Sequence, residues 1–254
     1  MVFFKLIFSD LKNGIFKNYR YLYFVIIAFL NFSVARILLI KNNDFDISII
    51  DILDKALSIY YFPMTILFFA VFICLDFTHK SFTSSGVQIL YRTKNRAAFY
   101  LAKCVFCIFS ALFTWVVFLL TSVLFCVLYG YSFEIPQHAT SGFLSLDRDN
   151  LLIFMLSPIA VLISLNILQM LICMLIKPMF AYLATVIFTL VGAMCNSPWL
   201  FAHSGINFYY DIMHKSGYDT KKALTVCLST ALISAIIGMI CFKKYDILPD
   251  KEDN

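Results

Sequence analysis

The chain has 254 residues, 61% of them hydrophobic and 14% charged, with a formal net charge of +5. A mean hydropathy of +0.86 means more apolar surface than one soluble core of this size can bury, which excludes an ordinary soluble domain and predicts an all-α polytopic membrane protein. Of the eight cysteines, Cys74, Cys104, Cys107, Cys126, Cys173, Cys227 and Cys241 fall inside long apolar runs and Cys195 ends another, so they read as buried small hydrophobes and not as a disulfide framework.

The first element, residues 1–20, is amphipathic. At about 100° per residue, Phe4, Ile7, Phe8, Leu11 and Ile15 share one face, while Lys5, Ser9, Lys12, Asn13 and Lys17 fill the other. That pattern predicts a helix lying in the headgroup plane of the cytoplasmic leaflet. Gly14 and the shortness of the segment also fit an unstructured cationic lead-in.

A crossing needs about 20 mainly apolar residues to cover roughly 30 Å of hydrocarbon. Six stretches qualify, at 21–40, 56–77, 101–129, 151–176, 178–195 and 223–242. In the first, Ser33-Val34-Ala35 would suit signal-peptide cleavage, but signal cores span about 7–15 residues and apolar residues here resume through Ile40, so the span is retained. Arg36 near its outer end can snorkel to the interface or contact a substrate. The third stretch is long enough to tilt or to project from the bilayer. Only Lys177 separates the fourth from the fifth, which predicts a tight hairpin.

Orientation follows from the cations, because Lys and Arg near span ends resist translocation. With both termini cytoplasmic, thirteen cations lie inside and six outside, with Arg36 within the first span, and nine of the fifteen acids lie outside. The Lys221-Lys222 pair runs against this tally.

Within the spans, Cys104 and Cys107 form a CxxC at helical i, i+3 spacing, with no second CxxC nearby, which reads as packing. Asn166 and Gln169 share a face of the fourth span. In lipid such side chains need a partner, so they bond to another helix or line a translocation path. Pro158 predicts a kink in the same span, answered by a neighbour such as Ser157. Ala231, Ser234, Ala235 and Gly238 form a small-residue stripe on which another helix can pack closely. The loop Asn196–Asp219 carries Trp199, Phe201, Phe208 and Tyr209, residues suited equally to an aromatic belt or to an extracellular gate.

The segment 78–100 is basic and hydroxyl-rich. From Leu75 to Lys103 it carries five Lys or Arg residues and no acid after Asp76. Asp76 closing a span, Ser81 or Thr83, Leu90, Arg96 and then Lys103 resemble, in order, the pattern in permease subunits of ABC type-2 exporters, including the small bacteriocin- and lantibiotic-immunity permeases. Asp76 stands where that family usually has Glu, and Asn95 where it has Ser. The N-terminal helix, the six spans and a final YDIL after the basic CFKK (tail 243–254) extend the resemblance over nearly the whole chain. It implies an N-terminal elbow helix and a cytoplasmic coupling helix after the second span, with Asp76, Ser81, Thr83, Val87, Leu90, Arg92, Arg96 and Lys103 at the contact with a motor. It also implies a re-entrant extracellular segment before the sixth span. Positive-inside topology alone would also account for the basic residues.

No GxxxxGK[ST] is present, nor HExxH, GxSxG or a kinase glycine loop, and His79, His138, His203 and His214 have no ligand spacing. No cofactor is expected in this chain. The resemblance assigns ATP and Mg to a separate ABC ATPase subunit in two copies, with a second permease chain, identical or homologous, completing the assembly. It places the chain in a bacterial cytoplasmic membrane, where it would export an amphipathic cargo, peptide or lipid-like, such as an antimicrobial peptide. The remaining partner is membrane lipid, and no nucleic acid is expected. An ATP-independent channel or scaffold is the alternative, followed by a membrane-embedded enzyme.

Overall fold

A computed structural model describes residues 2–42, 49, 52, 61–83, 95–131, 148–195, 197, 199–202 and 220–244, and among these all regular structure is helical. Helix α1 (Val2–Leu11) continues through a π-helical turn (Lys12–Phe16) and a 3-10 turn (Tyr19–Tyr21) into α2 (Leu22–Asn42). Then follow α3 (Tyr61–Thr83), α4 (Arg96–Leu128), α5 (Arg148–Leu175), α6 (Pro178–Met194) and α7 (Thr220–Lys244). Helices α2 to α5 and α7, five in all, are long and apolar enough to cross a membrane, the character of a membrane protein. Helix α6, 17 residues long, is a shorter apolar helix.

Local chemistry sets several of these boundaries. Asn95 caps α4, its side-chain oxygen accepting from the Ala98 N–H at 3.1 Å. At the other end Gly130, at φ 78°, closes α4 in a Schellman motif: the Gly130 N–H donates to Val127 O at 3.0 Å and the Tyr131 N–H to Cys126 O at 3.1 Å. Lys177 precedes Pro178 at the first position of α6, where the missing N–H costs nothing.

Two boundaries differ from the sequence reading. Helix α3 does not stop at Asp76 and Phe77 but runs on to Thr83, and α4 begins at Arg96, five residues before the expected Leu101. Both flanks of the basic segment are therefore helical. Thr78 and Ser81 remain compatible with the helix because their hydroxyls donate back to carbonyls one turn earlier, Cys74 O at 2.9 Å and Phe77 O at 2.8 Å.

Helix α4 is the central element, packing against α1, α2, α3, α5 and α7. At 33 residues it is about 50 Å long, more than a hydrocarbon core requires. Its small and aromatic residues Phe99, Tyr100, Ala102, Phe106, Cys107, Ala111 and Phe118 are all buried. Helix α5 packs on α3, α4, α6 and α7, and the Ser164 hydroxyl reaches Cys227 O of α7 at 2.9 Å. The outward residues are apolar as well: Ile26, Ile37, Leu120, Leu124, Leu232 and Ile240 are each more than half exposed. In water such a surface would aggregate, whereas lipid tails solvate it.

The polar residues of the spans settle into this packing. Arg36 is tied down, its Nε donating to Tyr131 Oη at 2.8 Å and its guanidinium lying 4.6 Å from the Tyr129 ring centroid. Cys107 is buried with its sulfur 3.6 Å from that of Cys74 on α3, and all described cysteines are free thiols.

The expected small-residue stripe of α7 faces inward. Ala231 and Ser234 are buried, and a Cβ at Gly238 would collide with the Tyr100 hydroxyl of α4. A helical Gly→Ala change gains about 1 kcal/mol in propensity, while overpacking a rigid core costs about 1–3 kcal/mol. Overpacking should win at Gly238. Gly238→Ala is expected to lower thermal stability in detergent, and Tyr100→Phe, which removes the first atom met, to restore part of the loss. Unchanged stability in Gly238→Ala would show that α4 and α7 do not approach this closely.

Candidate functional site

Charged side chains gather at the end of the bundle where α1, the last turns of α3, the first turns of α4 and the end of α7 meet. Lys103, two turns into α4, is only 2% exposed. Its Nζ donates to Asp10 Oδ1 of α1 at 2.6 Å and lies 5.2 Å and 4.8 Å from the ring centroids of Phe77 and Phe99. Two aromatic faces and one carboxylate thus replace the water that the ammonium has lost. Asp10 is 6% exposed, and its Oδ2 accepts no hydrogen bond among the described residues. Burial raises the Asp10 carboxyl above the usual carboxylate range, and the Lys103 ammonium offsets only part of that rise.

This pair sets the orientation of α1. The sequence pattern turned Phe4, Ile7, Phe8, Leu11 and Ile15 toward one apolar face. In the structure Leu6, Asp10, Gly14 and Ile15 are buried against the bundle and Ile7 and Leu11 pack partly on its core, while Phe4 and Phe8 face outward beside the lysines. Gly14 lets the chain press against the tilted ring pair of Phe106 and Phe77, whose centroids are 4.2 Å apart, and a Cβ there would strike Phe106. The helix is docked on α4 along one side.

A second, more exposed cluster adjoins the first. Arg20, between α1 and α2, pairs with Asp76 of α3 at 2.5 Å, and Lys80 reaches the same carboxylate oxygen at 3.0 Å. Asp76 is about one-third exposed, so these pairs are worth about 0–1 kcal/mol, far less than the buried one. Arg96 Nη1 donates to the Lys243 carbonyl of α7 at 3.1 Å. Beneath it the Phe242 ring packs 5.4 Å from Phe82 and 5.8 Å from Phe99.

The structure thus brings Asp76, Ser81, Arg96 and Lys103 to one end of the bundle. Ser81 is buried and satisfies a backbone carbonyl, and Thr83 ends α3. Val87, Leu90 and Arg92 lie outside the described residues, as do Phe208, Tyr209 and the tail from Tyr245. Trp199 and Phe201 separate: Trp199 is exposed with Lys222 Nζ 5.9 Å from its centroid, while Phe201 is buried 5.3 Å from Phe188. Asn166 and Gln169 are buried in α5, and neither polar atom of Asn166 nor Gln169 Nε2 has a hydrogen-bond partner among the described residues. Among the described residues no interhelical bond answers these atoms.

The sequence reading missed Asp10 and Arg20. Asp10 is the only acid in the first 43 residues, and Lys103 lies inside an apolar run, so each stood out as a charge in need of a partner. Comparison with family models, curated proteins and solved structures finds no match to this chain.

Removing one member of a buried pair leaves an uncompensated charge, at a cost of about 3–5 kcal/mol, whereas replacing both by apolar residues is near neutral. Asp10→Leu and Lys103→Met are each expected to destabilise the protein by that amount in detergent thermal unfolding. The double variant should recover most of the loss. Additive losses in the double variant would show that the two side chains do not interact.

Proposed function

We propose that the chain is the membrane-spanning permease subunit of an ATP-binding-cassette exporter, with six crossings, α6 included, and both termini in the cytoplasm. A separate ATPase subunit, in two copies, would bind ATP and Mg and dock on the basic segment between α3 and α4. A second permease chain would complete the path. The cargo is amphipathic, a peptide or a lipid-like molecule, with an antimicrobial peptide as the leading case.

The observation that carries this reading is the way both flanks of the basic segment are tied to the rest of the bundle. The α3 flank is bonded to Arg20 through Asp76. The α4 flank is bonded to α7 through Arg96 and to α1 through Lys103. Movement of the described ends of that segment, Thr83 and Asn95, would thus bear on α1, α2 and α7 through these bonds. The free-energy requirement is that the ATP-bound and ATP-free motor make different contacts with this segment, since equal contacts shift no equilibrium. Asn166 and Gln169, buried in α5 without partners among the described residues, suit the polar lining of a path.

Co-expression with an ATPase encoded beside this chain, followed by purification in nanodiscs, tests the assignment. The wild type should retain the ATPase, and Leu90→Asp or Arg92→Glu should reduce retention about tenfold or more, as expected for a lost anchor at a contact centre. Equal retention by all three would remove the coupling assignment. No ATPase partner at all would favour a channel or scaffold that works without ATP.

A further inference from the structure

Because Asp10 is drawn inward to Lys103, the opposite side of α1 carries cations without any acid. Lys5 of α1, and Lys12 and Lys17 in and just after the π-helical turn that continues it, are exposed and form no ion pair with the described residues. With Phe4 and Phe8 they line an open cleft of about 590 Å³. Phe4 is 74% exposed, Phe8 71% and Phe16 76%, which is unusual for large rings unless something apolar covers them. Tyr19, Leu22, Tyr23 and Ile26, which follow in the chain into α2, are each more than half exposed as well. The lysines therefore sit where the apolar surface of the bundle begins.

We infer that this face of α1 is a docking site for acidic phospholipid headgroups: Lys5, Lys12 and Lys17 hold the anionic phosphates while Phe4, Phe8 and Phe16 enter the acyl layer beneath them. The complementarity is of both kinds at once. Three ammonium groups match phosphate, and the interleaved rings match the adjoining hydrocarbon. A soluble acidic protein or a nucleic acid would satisfy the lysines but leave the rings in water. The buried pair makes the site directional, since α1 cannot roll to turn its lysines away without exposing Asp10 and leaving Lys103 buried alone. A cationic lead-in with no fixed structure would lack that constraint. The inference rests on the membrane location of the chain and not on the ATPase assignment, so either can fail alone.

Native mass spectrometry of the purified full chain, titrated with phosphatidylglycerol or phosphatidylcholine, reads the site directly. The wild type is expected to retain phosphatidylglycerol in preference to phosphatidylcholine. Lys5→Gln/Lys12→Gln/Lys17→Gln should weaken phosphatidylglycerol binding about tenfold or more, given what each basic residue near an acidic surface contributes. Lys221→Gln/Lys222→Gln, at the start of α7, removes charge elsewhere and should leave binding unchanged. Because the three α1 lysines are exposed, the triple variant should unfold at the wild-type temperature. Equal binding of the two lipids by the wild type, equal phosphatidylglycerol binding by the triple variant and the wild type, or an equal loss in the α7 variant would each overturn the proposal. So would a Phe4→Asp/Phe8→Asp variant that converts a dimer to a monomer with phosphatidylglycerol binding intact, because a second copy would then occupy the face.

Discussion

The contact between the Lys103 ammonium and the Asp10 carboxylate organises one whole end of the molecule. Desolvating either charge alone costs several kcal/mol, and the attraction offsets that cost only when the two groups touch and the remaining donors find other partners. Here the rings of Phe77 and Phe99 complete the surroundings of the ammonium. The pair therefore contributes little net stability and much specificity. It fixes which side of α1 faces the bundle, and through Phe77 it bears on the last turns of α3. The nearby Arg20–Asp76 pair is wetter and weaker, so it adjusts the position of α2 against α3 without determining it.

The membrane helices were legible in the sequence because hydropathy over about 20 residues is a long and redundant signal. Five of the six apolar stretches correspond to helices long enough to cross a membrane and the fifth stretch to the shorter α6, and the Lys177 break reappears as the junction of α5 and α6. Boundaries near polar residues were harder. Asp76 marked a chemical edge of the second stretch, yet the helix continues because Thr78 and Ser81 satisfy themselves on the preceding turn. The approach of α7 to α4 was signalled by a row of small residues, although only the structure shows that Gly238 meets Tyr100.

The side that α1 turns to the bundle was not legible in its apolar pattern, for a physical reason. Phe3, Phe4, Leu6, Ile7, Phe8 and Leu11 surround much of the helix, so apolar periodicity alone leaves several rotations nearly equal in burial. A single charge decides among them. Asp10 faces Lys103, Gly14 follows one turn later against Phe106, and two phenylalanines are left outside with the lysines. A lone acid in a basic leader and a lone lysine in an apolar run were both visible, but pairing them required knowing that the leader folds back on the third long stretch. Trp199 and Phe201 teach the same lesson at smaller scale. Two aromatics two residues apart went to opposite environments, one beside Lys222 and one into the core.

Solid-state NMR on lipid-reconstituted protein, with ¹⁵N-labelled lysine and ¹³C-labelled aspartate, tests the buried pair most directly. Contact at 2.6 Å between Lys103 Nζ and Asp10 Oδ1 implies a strong ¹⁵N–¹³C dipolar coupling to the Asp10 carboxyl carbon, with the ammonium shielded from water exchange. The coupling should vanish in Asp10→Ala. A Lys103 ammonium that exchanges freely with water and shows no coupling to that carboxyl would contradict the docking of α1 on α4.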